Sequence, residues 1–411
     1  KRLSQYKDDI IPITSHDVSD SASLDHVAEA LYLRGSDFLK SLRILIPPAW
    51  ENQEDMDPDL RAFYEYYGMH MGAWDGPAGV VASNGKLCIC ILDRNGLRPA
   101  RWHENAKGDI MIASEAGVYD EDYPIINKGR LAPGEIFAVD LVSNQVFSNR
   151  ELDLHFKSEF PYKEWLGEEV LQLKRNLTVT TLNQMSIRKL VTYCHYFNLH
   201  DEEKEIVIKA LANNMQEATG SMGDDTPIAV LSDQPRSLFD FFRQQFAQVT
   251  NPAIDSLREN SIMSLKTYLG EVRVITKPKS IYAKRIKLES PILSVSLYHA
   301  LLSSKQNHHT ISLNYPKHFS IQKALDDILA KTINAIKSGI SVVILDDEDI
   351  KEDSYPIHAL LVVGYVHDQL CQAELRAQTN LILKTAVARD AHHFACLIAY
   401  GATAVYPYLS Y

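Results

Sequence analysis

Several side-chain groups in this 411-residue sequence have types and spacings that chemistry could use. Ser19-Asp20-Ser21 stands before an apolar-periodic stretch, where Asp20 or Ser21 would cap a helix with a side-chain oxygen. Asp346-Asp347-Glu348-Asp349 follows an apolar strand, the place where α/β enzymes keep their sites. A solvated acidic loop is the favoured reading there, and a Mg²⁺ site the sharper one. Gly220-Ser221-Met222-Gly223-Asp224-Asp225-Thr226-Pro227 joins glycines to carboxylates. It lacks the Gly-Lys-Ser/Thr of a phosphate loop and the ligand spacing of a calcium loop, so it reads as a helix C-cap and turn. His392 and His393 are adjacent on a helix, about 100° apart around its axis, and do not share a metal as an i, i+4 pair does. Cys88, Cys90, Cys194, Cys371 and Cys396 are scattered and form no C-x-x-C, which favours reduced thiols of a cytoplasmic protein over a disulfide framework or a zinc site.

Positioning these groups falls to elements that the pattern of apolar residues predicts. Leu24, Val27, Ala28 and Leu31 predict a helix over 22–34, stopped by Gly35, and Ser36 would cap a second over 38–46. Val80-Val81 begins a strand, Asn84-Gly85 suits the centre of a type I′ turn, and Leu87–Leu92 is apolar enough for a strand covered on both faces. Asp93–Gly96 turns the chain again, and further strands are expected over 109–114, 135–142 and 145–148. Ile206, Leu211 and Met215 would mark the apolar side of a helix over 202–217. The stretch 235–270 reads as two helices split at Asn251-Pro252, with Leu238, Phe241, Phe242 and Phe246 as a core-facing stripe. From Ser320 onward a helix over 321–336, a strand over 341–345, a helix over 356–375, a strand over 380–384, a helix over 388–400 and a strand over 403–406 predict a parallel sheet with right-handed crossovers. The fold class is α+β followed by α/β, with a boundary near 170–185 that gives domains over 1–175 and 176–411.

A net charge of −11 argues against nucleic acid or an anionic membrane as the main partner. The longest apolar run, 394–405, falls short of the roughly 18 residues that span a bilayer.

The string WDGPAG, then a strand, NG, a second strand and LDRNGLRPAR (residues 74–101), resembles the class II glutamine amidotransferase domain of glutamate synthase large subunits. LIPPAWENQEDMDPDLRAFYEYY, the stretches around Ser114 and Arg130, and FPYKEWL continue the resemblance. GSMGDDTPIAVLSD, FDFFRQQFAQVTNPAIDSLRE and LESPIL extend it into that family's central domain. The stretch 271–285, Asp368-Gln369 and Tyr406 depart from the pattern.

The resemblance implies one half of an N-terminal-nucleophile (Ntn) type αββα sandwich, followed by a central domain with a mostly parallel sheet like an incomplete barrel. It gives Asp20 the role of binding the α-ammonium of glutamine. The family attacks glutamine with an N-terminal cysteine whose α-amino group is the base, and holds the oxyanion at an H-N-G-E string. Neither H-N-G-E nor any cysteine before Cys88 is found here, so the first segment reads as the C-terminal part of that domain, inactive as a glutaminase by itself. No catalytic residue is assigned. FMN and an iron–sulfur cluster are expected outside this chain, downstream of Tyr411. The implied partners are glutamine, ammonia, the FMN domain and a small electron-donating subunit. Two alternatives remain at this point: a catalytically dead scaffold or regulatory protein of the same descent, and a Mg²⁺- or Mn²⁺-dependent hydrolase built on the Asp346 loop.

Overall fold

The computed structural model describes residues 13–14, 17–119, 122–173, 185–216, 229–233, 235–245, 249–273, 275–304 and 307–411. Contacts divide the chain into two compact units. The first is Lys1–Val170 with Val249–Ser264 and Arg273–Lys284; the second is Leu171–Gln248, Leu265–Val272 and Arg285–Tyr411.

The first unit opens with helices Asp20–Leu33, Phe38–Leu45 and Pro58–Gly68. The caps differ from those expected. Ser19, not Asp20 or Ser21, accepts from the Ala22 amide at 3.3 Å, and Asp37, not Ser36, accepts from the Lys40 amide at 2.9 Å. In each case the capping residue stands one or two positions from the expected one, because several neighbouring side chains could serve.

Strands β1 (Gly79–Ser83), β2 (Leu87–Leu92), β6 (Ile136–Asp140) and β7 (Gln145–Phe147) form an antiparallel sheet in the order β1-β2-β6-β7. A second antiparallel sheet, β4-β3-β5, holds β3 (Arg101–Asn105), β4 (Ile110–Ala113) and β5 (Ile125–Arg130). Ser83 pairs with Cys88, and the turn between them is centred on Gly85 and Lys86. Only Gly85 has positive φ, +83°, the pattern of a type II′ turn. Asn84 serves through its side chain, accepting from the amides of Lys86 and Leu87 at 3.0 and 2.9 Å, so the expected type I′ turn is replaced.

β2 is covered on both faces, as its composition predicts: Ile89, Cys90, Ile91 and Leu92 are all buried. Cys90 and Leu92 pack with Phe137 against Trp102, Ile110 and Ile112 of the other sheet, so the two sheets stack. Trp102 lies 5.0 Å from Phe137 between ring centroids, nearly parallel, and it passes directly over Gly129. A Cβ at Gly129 would sit 2.6 Å from the indole nitrogen. Gly129→Ala is therefore expected to push Trp102 off Phe137 and lose about 1–3 kcal/mol, read as a shift in the urea midpoint of tryptophan fluorescence.

Helices Asn149–Ser158 and Tyr162–Glu169 close the unit, the first behind a capping box in which Ser148 and Glu151 bond reciprocally.

The second unit is built on four parallel strands, β11 (His308–Ser312), β13 (Val342–Asp346), β15 (Asn380–Lys384) and β16 (Ala404–Tyr406), in that order. Helices Ile321–Lys337, Ala359–Gln372 and Ala391–Ala399 lie between successive strands. Side chains alternate between two covered faces: Val343, Leu345, Leu381, Leu383 and Val405 join one core cluster, and Val342, Ile344, Ile382, Ala404 and Tyr406 the other. Smaller sheets pair β12 (Asn314–Pro316) with β14 (Ser354–Pro356), and β10 (Ile286–Leu288) with β8 (Leu171–Gln172) and β9 (Thr267–Leu269).

Three expectations for the chain beyond residue 200 are corrected. The helix foreseen from Pro356 starts at Ala359, after β14 takes the proline and His358 caps the helix. The helical run over 201–214 is interrupted by a π-type turn at Lys204–Ile208, and Ile206 and Met215 face solvent. Among the described residues, the stretch 235–270 holds a 3₁₀ turn, Leu238–Phe241, a short helix, Ser256–Ile262, and β9. Phe239 is the buried aromatic there and Phe241 is exposed, because a 3₁₀ turn presents a different face from an α-helix. Phe246 and the 220–227 loop lie outside the described residues. Among the described residues no helix is long and apolar enough to cross a membrane.

Candidate functional site

Asp20 is the first residue of the Asp20–Leu33 helix and is exposed. The Ser19 hydroxyl, which caps the helix, lies 3.1 Å from that of Ser21. The Asp20 carboxylate has no partner among the described residues. A carboxylate at a helix start is favoured by the macrodipole, and an open one can receive a cation such as an ammonium group.

In the second unit, charge collects at the C-terminal edge of the parallel sheet. Asp346 and Lys384 are register partners at the ends of β13 and β15. The Lys384 ammonium lies 2.9 Å from Asp346 Oδ2 and 2.5 Å from Glu348 Oε2, with the lysine 15 % exposed. Burial alone would lower the Lys384 pKa, but hydrogen bonds and charge from Glu348 and Asp346 raise it well above the ordinary lysine value. Asp347 is fully buried and its carboxylate accepts from the Thr385 hydroxyl and the Ala386 amide. Burial pushes its pKa up to about 7, against the hydroxyls of Thr385 and Tyr408 and the Ala386 amide, which favour the charged form; the Asp346 charge adds to the rise. The loop that follows is pinned from two sides. The Tyr193 hydroxyl accepts from the amides of Asp349 and Ile350 at 3.0 and 3.3 Å, and Asn314 Nδ2 donates to the Glu348 carbonyl at 2.7 Å.

The acidic run is therefore not the solvated loop expected from sequence. One of its carboxylates is buried and two pair with a lysine that sequence reasoning passed over. The oxygens a cation would need already serve the Lys384 ammonium. The signal was present: two apolar runs, Val342–Leu345 and Asn380–Leu383, each end in a charge of opposite sign, and parallel register places those ends side by side. His392 and His393 take separate partners: His392 Nε2 lies 2.9 Å from the Phe239 carbonyl oxygen, and His393 stacks on the Phe239 ring. Among the described residues no three His, Cys, Asp or Glu side chains are placed to hold a metal ion, and the five cysteines do not converge.

Residues 192–411 match the family model of the glutamate synthase central domain, and residues 1–165 that of class II glutamine amidotransferases. The chain belongs to the glutamate synthase family. Similar proteins include the ferredoxin-dependent glutamate synthase of Antithamnion sp., 41 % identical over 99 % of this chain and 27 % of its own length. The NADPH glutamate synthase large chain of Bacillus subtilis is 36 % identical over 98 % of this chain and 26 % of its own length. The chain thus spans about a quarter of the length of the curated relatives it matches. In glutamate synthase terms the stacked sheets fall within the amidotransferase match, and the parallel sheet with its charged edge falls within the central-domain match.

Proposed function

We propose that this chain forms the rear of the glutamine site and the central domain of a glutamate synthase large subunit. In this reading the enzyme makes L-glutamate from L-glutamine and 2-oxoglutarate: glutamine is hydrolysed, the ammonia is led inward, and the product of its addition to 2-oxoglutarate is reduced. FMN, with an iron–sulfur relay, supplies the reducing electrons from sequence outside this chain. Residues 1–175 are the C-terminal part of the Ntn-type amidotransferase domain, and residues 176–411 are a scaffold and part of the ammonia path. The electron source is a small subunit or ferredoxin, and the enzyme works in the cytoplasm.

The observation that carries the reading is Asp20: an exposed carboxylate at a capped helix start, without a partner among the described residues and inside the amidotransferase match. Its role is to grip the α-ammonium of glutamine through a charge-assisted contact, an interaction of about 1.5–3 kcal/mol. Asp20→Asn in a complete glutamate synthase carrying this chain is expected to raise the glutamine KM by about 10–100-fold, while glutamate formation from added ammonia stays unchanged. An unaltered glutamine KM would overturn the assignment. By itself the 411-residue chain, with no cysteine before Cys88, is expected to release no glutamate from glutamine above a heat-inactivated control.

A further inference from the structure

We propose that Phe239 and the two imidazoles it contacts form an acid-operated latch that holds residues 235–243 on the second unit. Phe239 is the one fully buried residue among the described residues of 229–245 and the chief anchor of that stretch; Leu238 and Phe242 pack partly buried against the same core, and Asn198 Nδ2 donates to the Pro235 carbonyl at 3.0 Å. The anchor sits between rings. His393 stacks on it at 4.2 Å and 27°, and His358 meets it edge-on at 5.0 Å. His392 Nε2, 2.9 Å from the Phe239 carbonyl oxygen, donates to it and ties down the backbone.

The geometry requires a neutral His358 and disfavours a proton on His393. His358 Nδ1 accepts the Leu360 amide as the N-cap of Ala359–Gln372, and a proton there would remove that acceptor. His393 lies in the first turn of Ala391–Ala399. Both rings therefore stand at positive helix ends, which disfavour imidazolium.

The charged surroundings point the same way. Arg389, bonded to Glu203 at 2.6 Å, lies beside both rings. Asp390, with Oδ1 3.5 Å from His393 Nδ1, is the nearby counter-charge. His392 and Cys396 share the His393 helix, and the latched stretch carries Arg236 and Asp240, paired with each other. Burial, with His393 and Arg389, holds His358 down at about 4. Burial does the same for His393, to about 4, although Asp390 pulls upward; Arg389 and His392 add to the decrease.

The sign follows from the depressed values. An imidazole that titrates near 4 when latched and about 6.5 when free contributes fully above about 6.5 and loses its contribution as pH falls toward 4. Each ring then favours release by about tenfold per pH unit within that window. Stacking of an imidazolium on Phe239 returns only part of this.

Hydrogen exchange of the 411-residue chain, corrected for the intrinsic pH dependence, tests the latch. Opening of 235–243 is expected to be at least about thirtyfold greater at pH 5 than at pH 7.5, with β13 and β15 still protected. The double variant His358→Gln/His393→Gln is expected to lose that pH dependence, and Phe239→Ala to leave 235–243 open at both pH values. Constant protection of 235–243 across the range overturns the proposal. So does its loss together with that of β13 and β15, a pH slope kept by the double variant, or full protection in Phe239→Ala.

Discussion

Arg43→Ala is expected to destabilise the first unit by about 3–5 kcal/mol, more than any other single truncation considered in that unit. Arg43 is 1 % exposed, on a helix whose other residues are largely apolar. Its guanidinium bonds the Gly134 carbonyl, Asn149 Oδ1 at 3.1 Å and Asp153 Oδ1 at 2.9 Å, and lies 5.5 Å over the Tyr64 ring. Tyr64 in turn donates to Asp153 at 3.2 Å. One cation thereby joins the Phe38–Leu45 helix, the turn before β6, the Asn149–Ser158 helix and the Pro58–Gly68 helix. Removing it strands the Asp153 carboxylate, 14 % exposed, together with a buried carbonyl. Arg43→Lys restores the charge without the fork and should recover only part of the loss, since one ammonium does not reach the three acceptors that a guanidinium spans. All four tryptophans, Trp50, Trp74, Trp102 and Trp165, belong to the first unit, so urea unfolding followed by tryptophan fluorescence isolates it. A midpoint within error of the unsubstituted chain would show that the network contributes nothing net.

What could be read without coordinates followed burial. β2, β13 and β15 are continuous apolar runs, and their expected and observed bounds agree closely. The helix behind Ser320 carries a cap, a periodic face and a terminal Gly339 with φ +84°, and it too was legible. β3 and β5 were not. Their residues, Arg101-Trp102-His103-Glu104-Asn105 and Ile125-Ile126-Asn127-Lys128-Gly129-Arg130, lie in a sheet whose outer strand is largely exposed, so no apolar alternation marks them. Phe239 escaped because a 3₁₀ turn has no face that an i, i+3, i+4 search would find. At the sites, the resemblance to a family pointed to Asp20, and its exposed place at the first turn of a helix came from structure. Arg43 and Lys384 share another cause. A lone charge in or beside an apolar run is ambiguous until a partner distant in sequence is placed next to it. Asp153 is 110 residues from Arg43, and Asp346 is 38 residues from Lys384.

Lys384→Met is the matching experiment in the second unit, with an expected loss of about 2–4 kcal/mol at pH 7.5. The substitution keeps the length of the side chain and removes the cation that faces Asp346, 17 % exposed, and Glu348, 30 % exposed. Asp347, buried just behind them, then lies next to two uncompensated carboxylates. The loss must depend on pH. Carboxyl groups whose folded pKa is raised stabilise the fold below their unfolded value near 4, and that contribution disappears as pH rises through the folded value. Asp347 already behaves so, with a folded pKa of about 7 that the Asp346 charge helps to raise, and removal of the Lys384 cation leaves that charge uncompensated beside it. The deficit of Lys384→Met is therefore expected to shrink as pH falls from 7.5 to 5. The His358–His393 pair pulls the opposite way in the unsubstituted chain, since its depressed pKa values weaken the fold over much the same range. The overall pH profile thus mixes two opposing slopes, and only the difference between Lys384→Met and the parent chain, measured by protection of β13 and β15 at each pH, reports the charged edge. A deficit that stays constant from pH 7.5 to 5 would mean that Lys384 acts through packing of its methylene stem and not through the carboxylates it faces.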